Sequence, residues 1–161
     1  MITQEEIIKW LKEEKQIFEI IPHTSSEKAE WGLTVTKESI SVIKIGIKKP
    51  RNRNTIELFF YLDLNSDTIE AMIENSSHNS FLNELQLVIL ANNLTIRITP
   101  NIRTPSRYWI YSNLYSGDFT KQDLFDKIHI IRNAAMKTLV VFRKHVKAVK
   151  RAPSYEYGKF P

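Results

Sequence analysis

The chain has 161 residues, about the length of one domain, and its 42% hydrophobic and 25% charged residues are typical of a globule with a buried core. Its four glycines form neither of the glycine-rich motifs that bind phosphate. The lack of cysteine excludes disulfides, thiolate zinc ligands and cysteine nucleophiles. The net charge of +5 favours anionic partners. We expect a single domain over residues 1–161, with a C-terminal tail over residues 152–161.

The expected location is the cytoplasm. The first residues show no basic segment followed by an apolar run, so the sequence predicts no signal peptide. Apolar runs are far shorter than the roughly 20 residues that a membrane span needs, so no membrane association is expected. The abundance of isoleucine and lysine is common in AT-rich genomes, including many archaeal ones.

The first part of the chain predicts a helix followed by an antiparallel meander of three or four strands. Thr3 and Glu6 form a capping box before an apolar stripe, which predicts a helix over about residues 4–15. Alternating and continuous apolar runs then predict strands, of which the last is the most hydrophobic and the most central. The strands cover residues 17–22, 31–35, 40–47 and 55–63. By its composition, the basic segment Lys48–Asn54 is a turn.

The second part predicts a helical middle, two strands and a long final helix. Ser66 or Asp67 caps a helix that breaks near residues 75–77 and resumes around Ser80. On the resumed helix, one face carries Phe81, Leu82, Leu85, Val88 and Ile89. The two strands cover residues 94–100 and 107–115.

The final helix has the clearest start signal. Thr120 and Asp123 form an N-cap with a capping acid, and Phe119 and Leu124 form a hydrophobic staple. The helix is predicted over about residues 121–150. Its main apolar stripe consists of Leu124, Ile128, Ile131, Ala135, Leu139, Phe142, Val146 and Val149.

This order of elements indicates an α+β fold: a helix, an antiparallel meander, a helix, two strands and a long C-terminal helix. Five segments resemble the type III secretion chaperone-like fold, which also occurs in the bacterial YbjN family and in an archaeal family of unknown function. They are Phe18–Pro22, Trp31-x-Leu33-x-Val35, Ile40-x-Val42, Phe59–Leu64 and Tyr115–Leu124. The resemblance extends to about residue 149. It implies a homodimeric, non-enzymatic module that binds another protein, with no catalytic residues and no cofactor.

Surplus apolar residues support an interface on the helices. Leu87 and Leu90 lie off the apolar face of the middle helix. Ile130, Val140 and Val141 lie outside the apolar stripe of the final helix. Either the helices are covered on two sides or they meet a second chain. The candidate dimer or partner surface consists of Leu87, Leu90, Ile130, Val140 and Val141.

Two basic clusters favour an alternative function, an accessory factor associated with RNA or the ribosome. Four cations within six residues, on the predicted turn Lys48–Asn54, repel each other and do not stabilise the fold. Such a turn is suited to contacts with phosphates. Cations that end a helix have a structural explanation as well. The candidate anionic-partner residues are Lys48, Lys49, Arg51, Arg53, Arg143, Lys144, Lys147, Lys150 and Arg151. In the tail, Tyr155, Tyr157 and Phe160 either stack on bases or fold back onto the protein.

No residue pattern predicts catalysis or metal binding. The histidines have no metal-ligand spacing, and no nucleophile elbow surrounds a serine. Asp118, Asp123 and Asp126 gather at the start of the final helix, where acids cap the exposed N–H groups. We therefore expect no enzyme, no metal and no cofactor.

Overall fold

The computed structural model describes residues 2–22, 29–37, 40–74, 76–103, 105–117 and 119–147, and this part of the chain forms four helices and six strands. The elements are α1 (Gln4–Glu13), β1 (Ile17–Ile20), β2 (Ala29–Lys37), β3 (Ile40–Pro50), β4 (Thr55–Asp63), α2 (Ser66–Glu74), α3 (Ser77–Ala91), β5 (Thr95–Pro100), β6 (Pro105–Tyr115) and α4 (Lys121–Lys147). The predicted element order is confirmed. Val149 and the tail lie outside the described residues.

The strands form one antiparallel sheet in the order β1-β2-β3-β4-β6-β5. The first four strands pair with their neighbours in the chain, as the predicted meander requires. Strand β6 runs antiparallel to β4, because the Ser116 N–H donates to the Asn54 carbonyl at one end and the Leu64 N–H donates to the Ser106 carbonyl at the other. The predicted α+β class, with an antiparallel sheet and a long last helix, is confirmed.

The chain divides into two compact units. The first comprises Met1–Phe60 and Tyr111–Arg132, and the second comprises Tyr61–Ile110 and Asn133–Pro161. Strands β4 and β6 and helix α4 each contribute to both units. The expectation of a single domain stays a prediction.

In the first unit, apolar residues of β2, β3 and β4 are buried with those of α1 and the start of α4. The rings of Trp10 and Phe119 meet edge to face, with centroids 6.1 Å apart. Lys121 forms ion pairs with Glu14 at 2.6 Å and Glu13 at 3.0 Å. The buried residues of this unit include Ile7, Leu11, Leu33, Val35, Ile45, Ile47, Leu58, Leu124, Ile128 and Ile131.

In the second unit, Phe81 of α3 is the centre of an aromatic cluster. Its ring lies edge to face with those of Tyr108, at 5.4 Å, and Phe142, at 5.9 Å. All three side chains are buried. Since side chains alternate across a strand, Tyr108 marks the helix side of β6, and its neighbours Arg107 and Trp109 lie on the opposite side.

The predicted basic turn and the predicted cap of the middle helix are both wrong. Strand β3 continues to Pro50, so Lys48 and Lys49 lie in a strand and the turn covers residues 51–54. Helix α2 is capped by Asn65, whose Oδ1 accepts the Thr68 N–H at 2.8 Å, one residue earlier than expected. Composition alone cannot separate a basic strand from a basic turn, because the partners of the cations lie on other strands.

Candidate binding surfaces

Most cations of the predicted basic hairpin form ion pairs with carboxylates. Lys48 Nζ lies 2.9 Å from Glu57, and Lys49 Nζ lies 3.6 Å from Glu30. Lys49 is only 5% exposed and also donates to the Arg53 carbonyl. The expectation of four cations on one flexible turn is therefore wrong, because Lys48 and Lys49 lie in β3, where acids of the neighbouring strands neutralise part of their charge.

Arg51 and Arg53 remain exposed at this hairpin. The Arg51 Nε donates to the Ala29 carbonyl at 3.2 Å, and Arg53 lies 3.8 Å from Glu57. The binding of an anionic partner by this cluster stays a prediction.

The second basic cluster lies at the end of α4 and begins at Arg143. It surrounds a contact between Glu84 of α3 and two residues of α4, Lys144 and His145. Lys144 Nζ donates to Glu84 Oε1 at 2.6 Å, and His145 Nε2 lies 3.0 Å from the same oxygen. These hydrogen bonds, that of Lys144 first, hold the pKa of Glu84 below its ordinary value. Arg143 is exposed. The side chain of Lys147, and all of Lys150 and Arg151, lie outside the described residues.

The predicted apolar surface is not part of the core. Leu87 and Leu90 on α3 are 67% and 75% exposed, and Val140 on α4 is 67% exposed. Val141 is half-buried in the second unit. Ile130 is half-buried in the first unit, where it lines a surface pocket at the start of α4. The assignment of these five residues to an interface stays a prediction.

Sequence reasoning missed an aromatic–arginine cluster on the sheet of the second unit. Two side chains from each of β4, β6 and β5 lie on the side opposite to buried Tyr108. They are Tyr61 and Asp63, Arg107 and Trp109, and Arg97 and Thr99. A signal existed in the alternation of β6, but the sequence does not show that β4 and β5 are its neighbours.

The side chains of this cluster contact each other closely. The Arg107 guanidinium lies 4.4 Å from the Tyr61 ring centre and 5.1 Å from that of Trp109, and its Nη2 donates to Asp63 Oδ2 at 2.8 Å. The Arg97 guanidinium lies 5.1 Å from the Trp109 ring centre. The pKa of Tyr61 is raised to about 12, mainly by burial, so its phenol is neutral at physiological pH.

Three buried polar side chains also lie outside the sequence predictions. His78 Nε2 and the Tyr108 hydroxyl share a hydrogen bond of 2.7 Å, and burial lowers the pKa of His78. Arg132 is 3% exposed, its Nε and Nη2 have no hydrogen-bond partner, and burial lowers its pKa. Its charge is therefore not part of the basic surface of α4.

Of the acids at the start of α4, Asp123 caps the helix as the sequence predicts. The Thr120 N–H and hydroxyl donate to Asp123 Oδ2, and the Asp123 N–H donates to Thr120 Oγ1. Asp126 accepts from Gln122, and Asp118 lies outside the described residues. Within the described ranges, no three histidine, aspartate or glutamate side chains are placed to hold a metal ion.

The described helices include none long and apolar enough to cross a membrane.

The fold has relatives among solved structures. An uncharacterized protein from Methanothermobacter thermautotrophicus matches with a TM-score of 0.72 and 15% identity, over 90% of this chain and 99% of that one. YbjN from E. coli, a proposed transcription regulator, matches with a TM-score of 0.51 and 9% identity, over 92% and 95% of the two chains. The fold is therefore of the YbjN-like, chaperone-like class that the sequence resembles.

Residues 3–142 match the family described as uncharacterized conserved protein DUF2299, and the chain belongs to this family. No curated protein matches its sequence.

Proposed function

We propose that the protein is a non-enzymatic module that forms a homodimer and binds another protein. The observation that carries this proposal is the pair of exposed leucines on α3. Leu87 and Leu90 lie one helical turn apart, and both are more than two-thirds exposed. A partner that covers them gains about 1.5–3 kcal/mol for each side chain removed from water.

The rest of α3 indicates that these leucines are not needed for the core. Phe81, Leu85 and Ile89 recur at helical spacing and are buried, so they already anchor the helix. Leu87 and Leu90 point away from this face. Charged or polar residues at both positions would leave the core intact, so their apolar character suits an interface.

An alternative function is a basic accessory factor that associates with RNA or ribosomal particles. The net charge of +5 and the exposed Arg51, Arg53 and Arg143 support it. Its binding would weaken steeply with salt, whereas binding through leucines would not. Affinity purification with and without nuclease separates a direct protein partner from one held through RNA.

Light scattering on the full chain tests the homodimer. We expect a mass twice the 18.9 kDa of one chain at micromolar concentration, and the mass of one chain for Leu87→Glu/Leu90→Glu. The matched control is Gln86→Glu, an exposed position on the same helix, which should remain dimeric. A parent protein that is monomeric at 100 µM would remove the homodimer from the proposal.

A further inference from the structure

We propose that the aromatic–arginine cluster of the second unit is a binding site for single-stranded nucleic acid. The ligand is an unpaired base with its flanking phosphate: the base stacks on Trp109 and on the Arg107 guanidinium that lies over Tyr61, and the phosphate meets Arg97. This inference goes beyond the proposed protein-binding function, uses none of the residues of the α3 surface, and does not depend on it.

The backbone places the cluster on one side of the sheet. Trp109 lies in β6 between buried Tyr108 and Ile110, so alternation directs its side chain away from the core. Tyr61 contacts it from β4, with ring centres 5.2 Å apart. From β5, the Thr99 hydroxyl accepts the Trp109 Nε1–H at 3.3 Å, which fixes the orientation of the indole. The three strands span roughly 10 Å, room for one or two bases.

The chemistry of the cluster suits bases and phosphate together. Aromatic rings and guanidinium planes both stack on bases, and sheet faces with aromatics on adjacent strands bind bases of unpaired RNA in this way. Arg97 is exposed at the edge strand, where its charge can meet a phosphate. Tyr61 keeps its proton, so it adds no negative charge.

Asp63 has a positioning role in this arrangement. Its carboxylate accepts two hydrogen bonds from Arg107, through Nε and Nη2, and so holds the guanidinium over the Tyr61 ring. The cluster then has two arginine charges against one aspartate charge, and its net charge is positive. This balance favours a polyanion over an uncharged apolar peptide, the other ligand that aromatic grooves accept.

Fluorescence anisotropy with the full chain tests the site. The probes are fluorescein-labelled strands of twelve uridines and twelve deoxythymidines, a duplex of the same length and a labelled proline-rich peptide. We expect both single strands to bind more tightly than the duplex and the peptide. Trp109→Leu should weaken single-strand binding roughly 5- to 150-fold, the loss of one stacked base.

Two further variants keep the test independent of folding defects. Arg97→Gln changes an exposed side chain and should weaken binding and reduce the slope of log K against log salt by about 0.7. Lys137→Gln removes one positive charge from an exposed position on α4 and is the matched control, which should bind like the parent. In protein labelled with 5-fluorotryptophan, the ¹⁹F resonance that Trp109→Leu removes should shift when the uridine strand is added.

The site would be overturned by equal binding of duplex and single strand, by parent-like binding of both Trp109→Leu and Arg97→Gln, or by a Trp109 resonance that does not move. Peptide binding without strand binding would also overturn it and would assign the cluster to a protein ligand. None of these results bears on the homodimer, since none of these residues lies on α3.

Discussion

Gly46 and Phe59 face each other in neighbouring strands, and the phenylalanine ring fills the space over the glycine. Phe59 alternates with Leu58 and Phe60, whose side chains point to the core, yet it is only 5% exposed. The cause is local: its ring covers Gly46, and the Lys48 ammonium lies 5.2 Å from its centre. The hydrophobic pattern of β4 predicts a central strand, but not this contact on the side away from the core.

Gly46→Ala should destabilise the protein by about 1–3 kcal/mol, because the new Cβ overlaps the Phe59 ring and forces it to move. Chemical denaturation measures the change. Gly117→Ala is the control, since its Cβ meets nothing within 4 Å, and it should be nearly neutral. The cost of Gly46→Ala should fall in a Phe59→Leu background, and an unchanged cost there would show that the ring is not the cause.

His78 should make stability depend on pH below about 6.5. Burial lowers its pKa from the ordinary value of 6.5, so the folded state holds it neutral beside Tyr108. The unfolded chain takes up the proton first. The stabilising effect of this residue is complete above pH 6.5 and is lost as the pH falls through its folded pKa.

Thermal unfolding between pH 7.5 and 5.5 measures this effect. The fall in Tm on acidification should be smaller in His78→Gln than in the parent. His129→Gln, at an exposed position on α4, should keep the dependence of the parent. An unchanged dependence in His78→Gln would mean that another group causes it.

At the scale of elements, the sequence predicts best where the signal is local. The predicted start of α4 is correct because Thr120 and Asp123 are three residues apart, and the side chain of each accepts a hydrogen bond from the backbone N–H of the other. The start of α2 is one residue off, since Asn65, Ser66 and Asp67 are all good caps and only the structure shows which oxygen accepts the Thr68 N–H. Strand β3 runs past its predicted end because Glu30 and Glu57, distant in sequence, hold its lysines.

At the scale of the whole molecule, the pattern of apolar residues predicts the fold class but not the surfaces. The order of helices and strands indicates an α+β fold, and five apolar segments add the resemblance to the YbjN fold that the solved structures bear out. The aromatic–arginine cluster depends instead on strand order, since β4 and β5 flank β6 although α2 and α3 separate them in the chain. Until that order is known, the sequence does not indicate that its three pairs of residues are in contact.

Leu87 and Leu90 do not pack in the core of one folded chain, and a homodimer predicts a thermodynamic consequence for them. When folding and association are coupled, Tm rises with protein concentration. For two chains of 161 residues, a hundredfold increase in concentration should raise Tm by about 4 °C. Calorimetry at 2 µM and 200 µM measures the shift, which should vanish in Leu87→Glu/Leu90→Glu and persist in Gln86→Glu. A parent whose Tm does not change with concentration unfolds as a monomer, and that result would contradict the homodimer.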